Sequence, residues 1–187
     1  MYHRRMDERR SAAVVIAIFA EPPHDVVFIE RAPHLRHHPG QIGLPGGTAD
    51  PADGDDPKNT GLRELYEELG VAPDRVKIVG RLPALDRISS RFIVTPLIGI
   101  LEPGTLLTVD HTETVGMFTV PLASILKPDA IYDDVEISRT RGISSYALDY
   151  GEHHIWGLTG RVLKHFVDAW NAPNSQLRAA VENALMR

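Results

Sequence analysis

The segment LRELYEELG, residues 62–70, decides how this sequence is interpreted, because it places three glutamates within five positions. Like charges three or four residues apart on a helix repel each other, so their crowding needs a reason. At helical spacing, Glu64 lies nearly opposite an apolar stripe, and Glu67 and Glu68 flank it. The stripe consists of Leu62, Leu65, Tyr66 and Leu69. By itself the pattern is typical of an amphipathic helix with a solvated charged face.

The ends of this helix are marked in the sequence, which predicts a helix over Pro57–Leu69. Asp56 can cap its start, Pro57 suits the first helical position, and Gly70 suits the left-handed residue after the last turn.

Two features favour a metal site over a merely solvated face. Glu64 and Glu68 stand four residues apart, so their carboxylates can converge, and crowded oxygen ligands suit Mg²⁺ or Mn²⁺. Arg63 can pair with Glu67 and fix its rotamer. The PGG turn at 45–47 lets the backbone approach a ligand closely, so that a glycine carbonyl could complete the coordination.

Composition limits the class of protein. A chain of 187 residues is expected to form one domain, with residues 171–187 as a helical extension. The most apolar run, residues 12–20, is far shorter than the roughly 20 residues of a membrane span. The net charge of -5 disfavours bulk nucleic-acid binding. No signal peptide is visible and cysteine is absent, which fits a cytoplasmic protein and excludes thiolate chemistry.

The hydrophobic pattern predicts an α/β or α+β sandwich with few, scattered helices. Residues 32–56 are expected to be irregular. Strands are predicted at residues 12–19, 26–31, 76–83, 92–101, 130–137 and 145–149, and further helices at 122–126, 156–170 and 176–186.

The stretch RELYEELGV, residues 63–71, resembles the second half of the Nudix box, Arg-Glu-apolar-x-Glu-Glu-x-Gly-apolar, and fits it at every defined position. The first half departs from the box. The loop after Gly47 is two residues longer than in the plain box, and Asp55 occupies the upstream glutamate position. The resemblance implies a Nudix fold, in which a mixed β-sheet is sandwiched between α-helices.

A second segment, RAPHLRHHPGQIGLPGG at residues 31–47, is similar to the signature of the coenzyme A pyrophosphatases within that family. Leu44 stands where the signature has phenylalanine. The acids Asp50 and Asp53 and the segment IWGLTGRVL, residues 155–163, also resemble this subgroup. The matching positions are Arg31, Ala32, Arg36, Gly40, Pro45, Gly46 and Gly47.

The resemblance implies hydrolysis of the pyrophosphate bond of coenzyme A or acyl-CoA to 3′,5′-ADP and 4′-phosphopantetheine or its acyl form. Glu64, Glu67 and Glu68 would hold one to three Mg²⁺ or Mn²⁺ ions, with Gly47 lending its carbonyl. Arg31 and Arg36 would bind substrate phosphate beside Gly46 and Gly47.

Several alternatives stay open. The general base could be Glu67, Glu64 or a loop carboxylate such as Glu113, and Arg31 could instead form a salt bridge. The substrate could be ADP-ribose, a dinucleotide such as NADH, or a (d)NTP. A domain of another class would sense nucleotides without turnover, although the intact acidic set argues against it. The sequence leaves a homodimer open.

Other conspicuous residues are given simpler interpretations. His37 and His38 lie beside Arg36 and are expected more as solvated loop residues than as phosphate donors. His153 and His154 are expected to pack or to sit at a strand edge. Arg87 and Arg91 precede a predicted strand, where a loop could face the substrate. An aromatic and apolar set is predicted to be core, namely Trp156, Leu163, Phe166, Val167 and Trp170.

Overall fold

The computed structural model describes residues 9–34, 40–86, 92–112, 114–142 and 144–186, and for Arg141 the backbone alone. The strands are β1 (Arg10–Phe19), β2 (Asp25–Arg31), β3 (Ile42–Gly43), β4 (Gly46–Thr48), β5 (Val76–Arg81), β6 (Phe92–Leu101), β7 (Thr114–Pro121), β8 (Tyr132–Asp133), β9 (Tyr146–Tyr150) and β10 (His153–Ile155). The helices are α1 (Pro57–Leu69), α2 (Leu122–Ile125), α3 (Val135–Arg141), α4 (Gly157–Asn171) and α5 (Gln176–Leu185).

Strand β1 lies at the centre of a mixed sheet with the order β3-β2-β1-β6-β5, and β7 is a further partner of β2. Strands β1 and β6 run parallel along ten residue pairs, whereas the other pairings are antiparallel. Side chains alternate along β1 because successive residues of a strand point to opposite faces. Val15 therefore faces α1, and Ile16 faces the helices on the other side.

Helices cover both faces of this sheet, which confirms the predicted sandwich. Leu65 and Leu69 of α1 pack with Val15 and Leu97 on one face. On the other face, Phe28 joins a core that α2, α4 and α5 complete, and the buried residues of those helices include Leu122, Ile125, Val162, Leu163, Phe166 and Val181. No helix in the described ranges combines the length and apolarity that a bilayer crossing requires.

One edge of β1 is shared between two partners, and this arrangement positions the glycine turn. Near its end, Ile18 of β1 pairs with Val26 of β2. Near its start, β1 pairs with β4 through Ala12↔Thr48, Ala13↔Gly47 and Val14↔Gly46. The amide of Val15 also donates to the Pro45 carbonyl over 2.8 Å. The PGG turn is thus hydrogen-bonded into the sheet beside α1.

Helix α1 has the predicted bounds and caps. The Asp56 side chain accepts from the Lys58 amide, and Gly70 adopts a left-handed φ of 67°. The predicted buried stripe is wrong at Tyr66, which is 59% exposed. The helix contacts the sheet closely at Gly61, where an added Cβ would lie 2.7 Å from Leu97. That contact turns Tyr66 outward, and residues 61, 65 and 68 lie on the buried side.

In the second half of the chain, one strand prediction is wrong and one strand was not predicted. The strand predicted over residues 130–137 is limited to β8 and is followed by α3, which Asp134 caps and which ends before the left-handed Gly142. Strand β7 was not predicted, because Val115 and Met117 are exposed and Gly116 interrupts the apolar pattern. It is nevertheless bonded along the length of β2.

The C-terminal core prediction holds in part. Leu163 and Phe166 are fully buried, whereas Val167 and Trp170 are partly buried against the same core. Helix α5 joins this core through the buried Val181.

The two histidines of β10 match their interpretation as packing or strand-edge residues. His153 stacks on Phe118 with ring centroids 3.7 Å apart, and the exposed His154 bonds Asp149 over 2.6 Å.

Candidate active site

Glu68 is the one glutamate of LRELYEELG that α1 buries, with 7% of the residue exposed. Its Oε2 accepts a 2.9 Å hydrogen bond from the Gly46 amide. Gly46 has a φ of 150° and sits so close to β1 that a Cβ would lie 2.6 Å from the Val14 Cα. Only glycine fits this position, and the fit brings a backbone N–H to the carboxylate.

Glu64 lies one helical turn earlier and faces the next glycine of the turn. Its side chain is 14% exposed. A Cβ added to Gly47 would lie 2.6 Å from the Glu64 Cδ, so the missing side chain makes room for the carboxylate. Glu64 and Glu68, whose carboxylates were predicted to converge, therefore both lie against the Gly46–Gly47 backbone.

Arg63 joins the helix to the acidic loop before it. Its guanidinium bonds three carboxylates: Asp53 through Nε at 2.9 Å, and Glu64 and Glu67 through Nη1 at 2.9 and 2.7 Å. Its Nη2 also donates to the Thr48 carbonyl over 2.9 Å. The predicted pairing of Arg63 with Glu67 is present, and Glu67 remains 55% exposed at its side chain.

The acid that orders this loop is Asp53, whose role the sequence analysis missed. Its carboxylate accepts from Arg63, from Thr60 Oγ1 and from the Asp50 amide, each at 2.9 Å. Asp55, which we predicted at the upstream acid position, is exposed. Counted forward from Gly47 with five intervening residues, the acid position is Asp53. The two extra residues therefore lie between Asp53 and Arg63. Counting forward from Gly47 would have identified Asp53 from the sequence.

The Arg63 guanidinium holds the pKa of Asp53 well below its ordinary value of 3.8, at about 2, with help from the Asp50 amide and Thr60. Burial acts in the opposite direction and is outweighed. The same pair raises the pKa of Arg63. Asp53 is thus ionised at any pH at which an enzyme of this kind would work.

The segment after β6 closes the C-terminal end of α1. The amides of Thr108 and Asp110 donate to the carbonyls of Leu69 and Glu68 over 2.8 and 3.0 Å. Glu113, the loop carboxylate predicted as a base, lies outside the described residues, so its predicted role stays a prediction.

Arg31 is the last residue of β2. It pairs with Thr114 of β7, its amide donates to the Gln41 carbonyl, and its carbonyl accepts from Gly40. The backbone of Arg31 is therefore joined to residues 40 and 41 by two hydrogen bonds. Other predicted residues lie outside the described ranges, namely Arg36, His37, His38, Arg87 and Arg91.

The comparison with protein families decides the class. The NUDIX domain family model matches residues 8–140. The chain belongs to the Nudix family. It is 36% identical over 165 residues to an uncharacterized Nudix hydrolase, NudL, of Photorhabdus laumondii, covering 86% of this chain and 84% of that protein. A NudL of Salmonella dublin is 33% identical over 165 residues, covering 88% and 84%.

Solved Nudix structures share the fold at low sequence identity. A NUDIX hydrolase from Alicyclobacillus acidocaldarius has a TM-score of 0.53 and 18% identity, covering 94% of this chain and 97% of that one. A MutT/nudix family protein from Enterococcus faecalis has a TM-score of 0.54 and 12% identity, covering 97% and 70%. The Nudix chain is accordingly a hydrolase of a family that acts on phosphoric anhydride bonds and generally uses divalent cations.

The oxygen ligands of this Nudix site fit a hard cation such as Mg²⁺ whose coordination shell is only partly filled by the protein. Mg²⁺ is usually bound through one or two carboxylates, while water and substrate phosphate complete its shell. Glu64 and Glu68, beside the Gly46–Gly47 backbone, meet that requirement. In the part of the chain that the structure describes, no group of three or more histidine or acidic side chains could enclose a metal, and Glu67 turns toward Arg63. Its role as a ligand stays a prediction.

The Asp53 carboxylate is expected to make the stability of the Nudix domain depend on pH in the acid range. Because its folded pKa of about 2 lies below 3.8, its contribution is present above the unfolded value and is lost as pH falls toward 2. The shift corresponds to about 2 kcal/mol at neutral pH. Asp53→Asn should therefore lower the free energy of unfolding by about that amount at pH 7 and by much less near pH 2.

Denaturant unfolding at both pH values measures this. The control is Asp55→Asn, two residues away and exposed, which should match the wild type throughout. Equal losses for Asp53→Asn at the two pH values would show that the charge of Asp53 contributes nothing.

Proposed function

We propose that this Nudix hydrolase cleaves the pyrophosphate bond of coenzyme A or an acyl-CoA, with Mg²⁺ or Mn²⁺, to give 3′,5′-ADP and 4′-phosphopantetheine or its acyl form. The observation that carries the proposal is one continuous segment, residues 31–47. It begins at Arg31, has the spacing of the coenzyme A signature, and ends at glycines in contact with Glu64 and Glu68.

The described parts of this segment support a substrate lying between a cation and Arg31. The backbone of Arg31 is hydrogen-bonded to Gly40 and Gln41, and β3 pairs with β2 through Ile29↔Gly43. Leu44 follows and is buried in the core, so the PGG turn is reached directly from the strand. Arginine offers a planar, permanently charged fork that suits phosphate. The diphosphate of the substrate would lie at the glycine end, and the 3′-phosphate would be taken by the arginines.

The chemistry requires neutralisation of charge and activation of water. When bound, a divalent cation would neutralise the phosphoryl oxygens and lower the pKa of a bound water. Glu64 and Glu68 would hold it, and the Gly46 amide fixes the Glu68 carboxylate through its 2.9 Å hydrogen bond. Arg63 holds the neighbouring carboxylates of Glu64 and Glu67 in place. Such fixed groups lose little free energy to reorganisation during the reaction.

The general base is proposed from the same residues. Glu67 has an exposed carboxylate whose rotamer is fixed by Arg63, so it can reach a water molecule without leaving its hydrogen bond. Glu64 is more covered and is better suited to holding the cation. Glu113 is a further candidate for the general base, because it is a carboxylate in a predicted loop that follows α1 in the sequence.

Product analysis tests the proposal. The protein is incubated with coenzyme A, acetyl-CoA, ADP-ribose, NADH and dNTPs in the presence of Mg²⁺ or Mn²⁺, and products are separated by chromatography. We expect 3′,5′-ADP from coenzyme A with the highest kcat/KM of the set, and no product with a chelator present. Faster turnover of ADP-ribose or NADH, with coenzyme A untouched, would overturn the substrate class. Tight binding without turnover of any compound would indicate a nucleotide sensor.

A further inference from the structure

The backbone carbonyl of Glu68 is held by a segment that the family resemblance does not describe. After β6, the chain returns across the end of α1, and the Asp110 amide donates to the Glu68 carbonyl over 3.0 Å. The neighbouring Thr108 amide donates to the Leu69 carbonyl over 2.8 Å. The last carbonyls of a helix have no partner within the helix, so these bonds fix the turn that carries Glu68.

Two kinds of contact hold this segment in place. Leu107 and Val109 are partly buried and pack against the core beneath α1. Beyond them, the chain turns at Asp110, whose Oδ1 accepts from the Thr112 amide at 2.8 Å and from the Thr112 hydroxyl. This side-chain-to-backbone turn leads to Thr114, which is 1% exposed, starts β7 and donates to the Asp110 carbonyl over 3.4 Å.

Asp110 is exposed, yet its side chain is hydrogen-bonded to Thr112 and its amide to the Glu68 carbonyl. Both hydrogen bonds from Thr112 converge on the same oxygen, Oδ1 of Asp110, and this side-chain contact holds the turn in which the Asp110 amide faces α1. Glu68 is consequently held from two directions, at its carboxylate by Gly46 and at its carbonyl by Asp110.

We infer that Asp110 is a positioning residue for Glu68: its turn fixes the end of α1, so that the Glu68 carboxylate is preorganised for a divalent cation. The inference rests on the proposed function, because it takes Glu68 as a cation ligand. Asp110 itself is given no contact with the cation. Asp110 acts by keeping the C-terminal end of α1 ordered. That order determines the fraction of molecules in which Glu68 is positioned to bind the cation.

Binding of Mn²⁺ alone, measured by calorimetry or electron paramagnetic resonance, tests this without substrate. Asp110→Ala removes the acceptor and should weaken Mn²⁺ binding about fivefold, the scale of losing one such hydrogen bond. Asp110→Asn keeps an acceptor for Thr112 and should stay within about twofold of the wild type. Asp74→Ala, which removes an exposed carboxylate from the turn Pro73–Arg75, is the matched charge control and should have no effect.

The pattern across the variants separates positioning from charge. Equal weakening by Asp110→Asn and Asp110→Ala would overturn the inference, because the carboxylate would then act through its charge or as a ligand. Unchanged binding in Asp110→Ala would overturn it as well.

Amide hydrogen exchange provides a readout that needs no cation. In Asp110→Ala, the amides at positions 110 and 112 should exchange about fivefold faster than in the wild type, whereas Asp110→Asn should keep their protection. Unchanged exchange in Asp110→Ala would overturn the inference. If the wild type bound no Mn²⁺ at all, the proposed function would fail, and the exchange result would still decide whether Asp110 orders the end of α1.

Discussion

Glu68→Gln is expected to lower kcat for pyrophosphate hydrolysis roughly 10²- to 10³-fold, the scale of losing one preorganised electrostatic group in an active site. Glutamine keeps an oxygen that can accept from the Gly46 amide, so the buried contact survives while the negative charge is lost. The fold should therefore persist, and the loss should come from weaker cation binding. Steady-state kinetics at several Mg²⁺ concentrations, beside a thermal unfolding curve, measures both parts.

A matched variant separates the site from a general effect of removing a glutamate. Glu152→Gln changes an exposed glutamate in the turn between β9 and β10, and it should leave kcat and Tm unchanged. Glu64→Gln should resemble Glu68→Gln. Full activity in Glu68→Gln would contradict the assignment of this residue to the cation.

Gly47→Ala is expected to lower activity on the order of 100-fold while leaving the fold intact. The added Cβ would lie 2.6 Å from the Glu64 Cδ, so the carboxylate must move. A displacement of about 1 Å in a catalytic group can cost a factor of about 100. The clash is with a side chain and not with backbone, so the strand pairing between β4 and β1 can remain. The measurement is kcat/KM together with the free energy of unfolding.

The neighbouring glycine provides the contrast. A Cβ on Gly46 would lie 2.6 Å from the Cα of Val14 at a φ of 150°, so Gly46→Ala meets backbone in a conformation that alanine avoids. We expect a loss on the order of 3 kcal/mol in unfolding free energy, with activity lost through unfolding. Equal stability losses in Gly46→Ala and Gly47→Ala would contradict the described position of the turn.

The sequence predicts most of the framework because its signals there are local. Helix α1 is bounded by a capping acid, a proline and a glycine, and β6 is a mostly apolar run interrupted by Thr95. Both have the predicted bounds, Pro57–Leu69 and Phe92–Leu101. Strand β7 was missed because its own residues lack a clear hydrophobic alternation, and the strand forms through its hydrogen bonds to β2. In α3, the β-branched Val135 and Ile137 suggested a strand, although Asp134 and Gly142 mark the ends of a helix.

Within the site, the sequence identifies the acidic helix and the glycines but not how they meet. The contact of Glu68 with Gly46 joins residues 22 positions apart, and it turns a residue expected on a charged flank into a buried one. The role of Asp53 depends on where the two extra loop residues lie, which spacing counted back from Arg63 cannot show. Tyr66 is exposed because Gly61, lacking a side chain, sets the face of α1 that approaches the sheet.

Anomalous diffraction from crystals soaked in Mn²⁺ would show where the cation binds. We expect an anomalous peak bonded to the carboxylates of Glu64 and Glu68 beside Gly47, and we expect it to be lost in crystals of Glu68→Gln. A peak bonded to neither carboxylate, or one that persists unchanged in Glu68→Gln, would contradict this expectation.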